Sequence, residues 1–552
     1  MTKIRYTELQ GKFGDAFCGK SKTILEKEIL PQYLPACRWF AGKLRKINEL
    51  EILEDILFNS ITSVAHLLMI RVSYSDGLPE IYMLPISFTP APDTVSENYP
   101  FAVIAKIKLG SEEGIFFDAT YDDSFRGALL LLIIRGESLN GLNGQLIAAY
   151  ERRTKHNDQT YDNIKSSQVI KADQSNTSVL YEDKLILKLF RKLGEGINPD
   201  IEMVRFIYEN ASSHDEDIPL CMGFIEYRRA NHPEPIFLGN LQRYVQNEGD
   251  AWSFTIGNIT KYYENILYSG SSAGEIITIN KCMFDVYLET IPDILIKFIG
   301  IRYIEMAAQL GKTTGQLHLI LASHKNNPDF TPEPFGTLYQ QSLYQSMQNT
   351  TKSHFKLLRK SLKLLPDAVK EDALYVLSNE REVLRVFKSV VDLKLTATRI
   401  RIHGDYHLGQ VLCRGNDCVV IDFEGEPLLT LSERRLKRSP LRDVASMIRS
   451  FHYAPFSVLS KRTVFTQKNI MELMPWADLW YFYISGIFLS SYMDKVKSAE
   501  FMSVERAETE SLLRIFLLEK AVYELGYELS NRPEWVSVPL KGIASLLHLN
   551  ET

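Results

Sequence analysis

Near residue 250 the hydrophobic pattern of this chain changes period, and that change limits the available folds more than any other feature. From about 168 to 245 the apolar residues fall in short strand-like runs. From about 255 onward they recur near every 3.6 residues, most clearly in Asp293–Ser323 and Glu500–Leu529. A small β-rich lobe followed by a large helical lobe is the expected order. Ahead of both, Ala65–Val72 (AHLLMIRV), Glu80–Leu84 (EIYML) and Ala102–Ile107 (AVIAKI) read as strands of a separate α+β unit. The polar stretch Tyr150–Ser167 (YERRTKHNDQTYDNIKSS) has almost no branched aliphatics and reads as a linker. The expected division is therefore a front unit over 1–150, a β-rich lobe over 168–245 and a helical lobe over 246–552. At roughly 150 residues per domain, 552 residues allow about three or four such units.

Charge and cysteine usage exclude several classes. The formal net charge is −5, from 63 basic and 68 acidic residues, which leaves no basic field for nucleic acid or an anionic membrane. The 6 cysteines form no CxxC pair, so neither a disulfide scaffold nor a zinc site is expected. The N-terminus MTKIRYTELQGKFGD lacks an apolar signal core, and the longest apolar run, Ala128–Ile134, is far short of the ~20 residues of a membrane helix. The expectation is a soluble, cytoplasmic protein.

Val169–Phe190 reads VIKADQSNTSVLYEDKLILKLF. Ser178–Tyr181 and Lys184–Phe190 are predicted strands around a two-residue turn at Glu182-Asp183, which sets Thr177 opposite Lys188. Lys188 would then stand beside the loop Gln174-Ser175-Asn176-Thr177-Ser178. Its hydroxyls, amides and backbone N–H groups can cradle phosphate oxygens, although it contains no glycine. Asn198 fits an N-cap and Pro199 the first helical position, so a helix begins there with Glu202 in its first turns. A strand lysine held over phosphates by a helix glutamate is a nucleotide-handling arrangement, and Lys188 with Glu202 has that order. An ordinary edge-strand lysine and an ordinary helix-start glutamate read equally well from this segment alone.

Arg401–Pro427, RIHGDYHLGQVLCRGNDCVVIDFEGEP, carries more. Two apolar strands flank Arg414-Gly415-Asn416-Asp417. Pairing Cys413 with Cys418 brings Gln410 opposite Ile421 and beside Asp422. An amide oxygen next to carboxylates is a fit ligand set for a hard cation such as Mg2+, with Gln410 and Asp422 as candidates. Asp405 lies on the loop entering this hairpin. A carboxylate there can orient an attacking hydroxyl and take its proton, while a cation neutralises charge between the β and γ phosphates of ATP. His403 is expected to order the loop. Asp422, Glu424 and Glu426 could also be a solvated acidic turn or a glycosidase carboxylate pair, but neither explains the strand lysine.

These segments resemble the maltokinase family, including the domain fused to trehalose synthase in some members. The likeness rests on DQSNTS, LILKLFRKL, NPDIE, YVQNEGDAW (Tyr244–Trp252), HGDYHLGQVL, IDFEGEP, SPLRDVASMIRSF (Ser439–Phe451) and EKAVYELGYELSNRPEWVSVPLKGI (Glu519–Ile543). LPACRWFAGK (Leu34–Lys43) resembles that family's N-terminal cap. The HGD loop followed by a later aspartate is also shared with aminoglycoside phosphotransferases and choline kinases. The resemblance implies an α+β, protein-kinase-like bilobal fold behind a cap. It implies transfer of phosphate from ATP, with Mg2+, to the anomeric hydroxyl of maltose, and a link to trehalose and α-glucan metabolism. By position it implies Asp405 as base, Gln410, Asp422 and Glu424 as the metal ligands, and Lys188 with Glu202 as the phosphate pair. It implies Leu241–Val245 (LQRYV), with Gln242 and Tyr244, as the adenine hinge. Gln410 stands where many aminoglycoside kinases carry Asn, and Cys37 where the cap motif leads one to expect a polar residue.

Other residues are more open. Asp443 is expected to brace the catalytic loop from a helix start. Arg442 and His407 could reach the sugar. Trp476, Trp480, Tyr481 and Tyr483 suit sugar stacking, and suit a helix core better. His318 reads as a core histidine. Another sugar or an aminoglycoside as acceptor, or an idle kinase-like partner of trehalose synthase, are the competing functions; the joint presence of Lys188, Asp405, Gln410 and Asp422 argues against the idle partner.

Overall fold

The computed structural model describes residues 6–43, 45–59, 64–90, 95–151, 161, 164–170, 175–211, 219–230, 232–275, 282–324, 326–460 and 465–548. By packing, the chain divides into two compact units. One consists of Met1–Tyr208, Asp215–Gln246 and Pro427–Glu433; the other of Glu209–His214, Asn247–Glu426 and Arg434–Thr552.

The first unit holds two sheets. Strands β1 (Thr7–Leu9), β2 (Ile47–Asn59), β3 (Val64–Tyr74), β4 (Glu80–Pro90), β5 (Val103–Leu109) and β6 (Glu112–Asp118) make the first, in the order β1-β5-β6-β4-β3-β2. In β2, Leu50, Ile52, Ile56 and Phe58 are buried while their neighbours are not, the alternation of a strand with one covered face. β3 is buried almost throughout, as a central strand must be. One face packs on Phe17, Leu25, Leu30 and Phe40. The helix Asp123–Arg135 brings Phe125 against Phe58 with ring centroids 5.0 Å apart.

The second sheet contains β7 (Ser138–Asn140), β8 (Gly144–Tyr150), β9 (Ser167–Ile170), β10 (Asn176–Tyr181), β11 (Leu185–Phe190), β13 (Cys221–Arg229) and β14 (Ile236–Arg243), in the order β7-β8-β13-β14-β11-β10-β9. Its first two strands come from before residue 150, inside the stretch that sequence assigns to the front unit; β8 finds its partner in β13, far along the chain, which local pattern cannot reveal. The expected linker lies mostly outside the described residues.

The two sheets share chain. Directly after β11, strand β12 (Lys192–Leu193) pairs with β4 of the first sheet, and Arg191 sits at the crossover, its carbonyl accepting from Met83 N at 2.8 Å. A second tie is the buried Glu54 of β2. Its carboxylate accepts from the backbone N–H groups of Leu142 and Asn143, before β8, and from the hydroxyl of Tyr227 on β13.

The second unit is helical. The expected span 293–323 forms as Asp293–Ile299 and Ile301–Leu321, interrupted at Gly300, and the later one as Arg506–Asn531. Ala251–Ser269, Thr337–Ser361, Leu441–Leu459 and Gln467–Val496 are the other long helices. Trp476 and Trp480 are 1% and 0% exposed and pack on Tyr262, Phe298 and Tyr303. These indoles are core and offer no sugar platform. Two short pairs complete the unit: β15 (Glu333–Pro334) with β16 (Thr398–Arg399), and the hairpin β17 (Val411–Arg414) with β18 (Asp417–Val420). Among the described residues no helix is long and apolar enough to cross a membrane.

Candidate active site

In the first unit, Lys188 is buried on β11, and its register differs from expectation by one residue. Tyr181 pairs with Leu185, so Ser178, and not Thr177, stands opposite Lys188. The cause is the turn. Glu182 and Asp183 both have positive φ, 48° and 50°, and Lys184 bulges out of the ladder; its N–H bonds Tyr181 O and its carbonyl accepts from Tyr244 N. A slip of one residue turns Thr177 to the opposite face of the hairpin from Lys188. Ser178 shares the lysine's face, and Asn176, Thr177 and Ser178 are all buried. Gln174 lies outside the described residues, and Ser175 immediately precedes β10.

Asn198 caps the next helix as expected, its side chain accepting from Asp200 N at 2.9 Å with Pro199 first in the helix. The carboxylate of Asp200 reaches Lys188, with Oδ2 3.8 Å from Nζ. Asp200 is fully buried, and Asn240 Nδ2 (3.1 Å) and Gln242 Nε2 (3.2 Å) both donate to that same Oδ2. Sequence reasoning named Glu202 as the partner of Lys188; Asp200, two residues earlier in the same NPDIE segment, is a further carboxylate that it missed, and Glu202 is partly exposed. Gln242, expected at the hinge, spends its side chain on Asp200, while Tyr244 joins the backbone to Lys184.

In the second unit, the β17–β18 hairpin has the expected register, Cys413 opposite Cys418. Ile421 N donates to Gln410 O at 3.0 Å, and Gln410 Nε2 donates to Asp422 Oδ2 at 2.8 Å. Asp422 takes φ +65°, a left-handed conformation that non-glycine residues adopt sparingly and that clusters at functional sites. Glu424 follows on the same turn; its carbonyl accepts from Arg434 Nη1 at 3.4 Å, and its charge faces that guanidinium.

The Asp405 loop is built from buried bonds. Asp443, 2% exposed at the start of the Leu441–Leu459 helix, accepts from His403 N (2.7 Å), Gly404 N (3.0 Å) and His318 Nε2 (3.2 Å). Gly404 holds φ +83°, which lets two successive N–H groups converge on one carboxylate. Burial alone would raise the pKa of Asp443; the hydrogen bond and charge of His318 and the Gly404 N–H reverse this and lower it. His403 packs between Tyr406 and Phe423, its Nε2 pairs with Ile421 O at 2.9 Å and its Nδ1 accepts from Asp405 N at 3.3 Å. One tautomer satisfies both bonds, so His403 orders the loop.

Burial raises the pKa of Asp405, with Asp422 and Asp443 adding to it and Lys520 opposing. Such a carboxylate is a stronger base than a solvated one. His407 caps the short turn Leu408–Gln410, its Nδ1 accepting from Gly409 N at 3.0 Å, and burial drives its pKa down to about 4. Arg442 donates to Glu519 at 2.7 Å and lies over the Phe516 ring, so it joins two helices. Lys520, Tyr523 and Glu426 complete the surroundings of Asp405. Tyr523 donates to Glu426 at 2.9 Å, and burial and the Asp405 charge raise the pKa of Glu426. Sequence reasoning assigned no role to Lys520 or Tyr523; their i, i+3 spacing on one helix face, within the segment Glu519–Ile543, was the available signal.

Gln410 Oε1 and the carboxylates of Asp422 and Glu424 are hard oxygen donors of the kind Mg2+ takes. Among the described residues no group of three or more His, Cys, Asp and Glu side chains forms a closed metal nest. The donor set fits a cation that shares its coordination with phosphate oxygens and water.

The architecture is α+β, with two sheets in the first unit and a largely helical second unit. Residues 33–122 match the family described as the maltokinase N-terminal cap domain. The chain is 22% identical over 379 residues, 68% of its length and 79% of the relative's, to a glucosamine kinase of Mycolicibacterium smegmatis. It is 20% identical over 377 residues, 68% of its length and 72% of the relative's, to the glucosamine kinase of Streptacidiphilus jiangxiensis. Among solved structures it is similar to a glucosamine kinase in complex with glucosamine, ADP and inorganic phosphate, with a TM-score of 0.57 and 16% identity over 94% of this chain and 97% of that one. A second crystal form of glucosamine kinase gives a TM-score of 0.58 at 16% identity, over 93% and 97%.

Proposed function

We propose that this chain is an ATP-dependent sugar kinase. The observation that carries the reading is the second-unit cluster, in which Gln410 is bonded to Asp422 and the half-buried Asp405 carboxyl feels the Asp422 charge. The cap match and the glucosamine kinase relatives support it. In the proposed reaction Asp405 orients the acceptor hydroxyl and takes its proton as the oxygen attacks the γ-phosphorus. The bond from that phosphorus to the β,γ-bridging oxygen breaks and ADP leaves. Lys188, steadied by Asp200, offsets phosphate charge; Ser175, Asn176 and Ser178 contribute donors beside it, and Gln242 and Tyr244 mark the strand end that would meet adenine. Mg2+, held by Gln410, Asp422 and Glu424, would neutralise charge between the β and γ phosphates.

Maltose, phosphorylated at its anomeric hydroxyl, is the proposed acceptor, because the cap matches that family. With it go the proposals of trehalose synthase as a partner and of a cytoplasmic setting. Glucosamine is the second reading, favoured by relatives that match well beyond the cap. The test is ADP release from ATP and Mg2+ with maltose, glucosamine, glucose and trehalose. Turnover of maltose supports the first reading, and turnover of glucosamine without maltose selects the second. Release of ADP with none of the four refutes both acceptors.

A further inference from the structure

Arg191 is fully buried, and so is the group it serves. Its Nη2 donates to Asp118 Oδ2 at 2.7 Å and to Thr120 Oγ1 at 3.0 Å, and its Nε donates to Thr177 Oγ1 at 2.8 Å. Asp118 Oδ1 accepts in turn from the backbone N–H of Thr120 at 3.0 Å and from its hydroxyl at 2.7 Å. The Trp39 ring lies over the guanidinium, 4.9 Å from its carbon. Arg191 and Asp118 are 0% and 1% exposed. An ion pair so deeply buried is a poor source of stability, since apolar packing of the same volume does as well or better. What it does supply is fixed direction: its bonds tie two separate pieces of chain, the turn at Asp118–Thr120 and the strand at Thr177, to one planar guanidinium.

Those pieces are specific. Asp118 ends β6 in the first sheet, and Thr120 follows in the same turn. Thr177 is on β10 between Asn176 and Ser178, and Ser178 stands opposite Lys188. Arg191 itself continues the strand that carries Lys188. The clamp therefore grips both strands of the β10–β11 hairpin, on β10 through Thr177, whose side chain points to the face opposite Lys188.

We infer that Arg191 is a positioning residue for nucleotide binding, and that the cap, through Asp118 and Trp39, holds the phosphate-binding end of the β10–β11 hairpin in register. This rests on the reading of Lys188 as a phosphate ligand. It gives the cap a part in the reaction although no cap side chain need touch the nucleotide.

Thr177→Val is the test. It conserves volume and removes the acceptor for Arg191 Nε. Titration of the full chain with MgADP, followed by calorimetry, is expected to weaken by roughly tenfold, the worth of one buried hydrogen bond to a charged donor. Thr177→Ser restores the hydroxyl and recovers most of that loss. Asp118→Asn, which keeps the volume and one acceptor oxygen, weakens binding in the same direction. A merely structural role would lower the melting temperature of Thr177→Val and leave its MgADP affinity at the wild-type value, and that result overturns the inference. Lys188→Ala separates the two layers. If it weakens MgADP binding while Thr177→Val does not, the clamp role alone falls. If Lys188→Ala binds MgADP as wild type does, the phosphate-site reading falls and the inference with it.

Discussion

Asp443→Asn probes the scaffold beneath Asp405 without touching the reacting atoms. The carboxylate accepts three hydrogen bonds, from His403 N and His318 Nε2 on one oxygen and from Gly404 N on the other. Asparagine keeps the volume but offers one oxygen and one NH2. Whichever way the amide turns, at least one buried donor then faces another donor. Loss of a hydrogen bond to a charged acceptor costs about 1.5–3 kcal/mol, and a stranded buried N–H adds about 1–3; partial relaxation makes about 2–4 kcal/mol a reasonable total. The energetic loss should appear as a melting temperature several degrees lower. The functional loss should exceed it, because a shift of about 1 Å in a positioned group can cost roughly 10²-fold in rate. The assay is kcat by ADP release on whichever sugar the panel identifies, beside MgADP affinity by calorimetry. The expectation is kcat down about 10²-fold with MgADP affinity within a few-fold of wild type. A variant with wild-type kcat, or one whose kcat falls only in step with nucleotide affinity, would refute the reasoning.

Asp405→Asn should reduce turnover by about 10²- to 10⁴-fold while MgADP still binds, and retention of more than about a third of kcat removes Asp405 from the mechanism. Because the anomeric hydroxyl is more acidic than an ordinary alcohol, maltose should lie at the low end of that range. Asp422→Ala should abolish the magnesium dependence of nucleotide binding together with activity; calorimetry in which Mg2+ still strengthens ADP binding as in wild type contradicts the ligand assignment. The pKa of Glu508 is a stability lever: burial raises it, but bonds from the Ser503 hydroxyl and the Ala397 and Thr396 N–H groups bring it below the usual glutamate value. A depressed folded pKa means its contribution is full above the unfolded pKa of about 4.3 and fades as pH falls through the folded value. The melting gap between wild type and Glu508→Gln should therefore be constant near neutrality and narrow below about pH 4, and a gap that widens there would reverse the sign of the argument.

The two hairpins show what pattern can and cannot specify. In RGND, glycine comes first of the two central residues and takes φ +59°, as short hairpin turns require, so the Cys413–Cys418 pairing and its consequence for Gln410 and Asp422 followed from the sequence. In YEDK, two residues without glycine are forced to positive φ and Lys184 is extruded; nothing local distinguishes that from a plain two-residue turn, and the one-residue error moved Thr177 to the wrong face. Asp200 was missed because kinase order directs attention to a glutamate; the structure adds a carboxylate that Asn240 and Gln242 also reach from a neighbouring strand. Glu54, Asp118 and Arg191 were invisible for a related reason. Each is a charge on a strand or directly after one, and such residues read as solvated until their partners, many residues away, are known.

The strand that passes from one sheet to the other at Arg191 bears on how this protein could be taken apart. A chain cut to begin at β7 would keep every residue named in the proposed chemistry, and by motif it would look like a complete minimal enzyme. It would also strip β4 from Lys192 and Leu193 and leave Arg191 without its counter-ion and without the Trp39 ring over it. Glu54 would be gone from the Leu142, Asn143 and Tyr227 donors it now satisfies. The front segment is thus no detachable module in the engineering sense. Gene shuffling that exchanges it between homologues must carry over Asp118, Thr120 and Glu54 together with the residues they answer, or the graft begins life with unmatched charges at its centre.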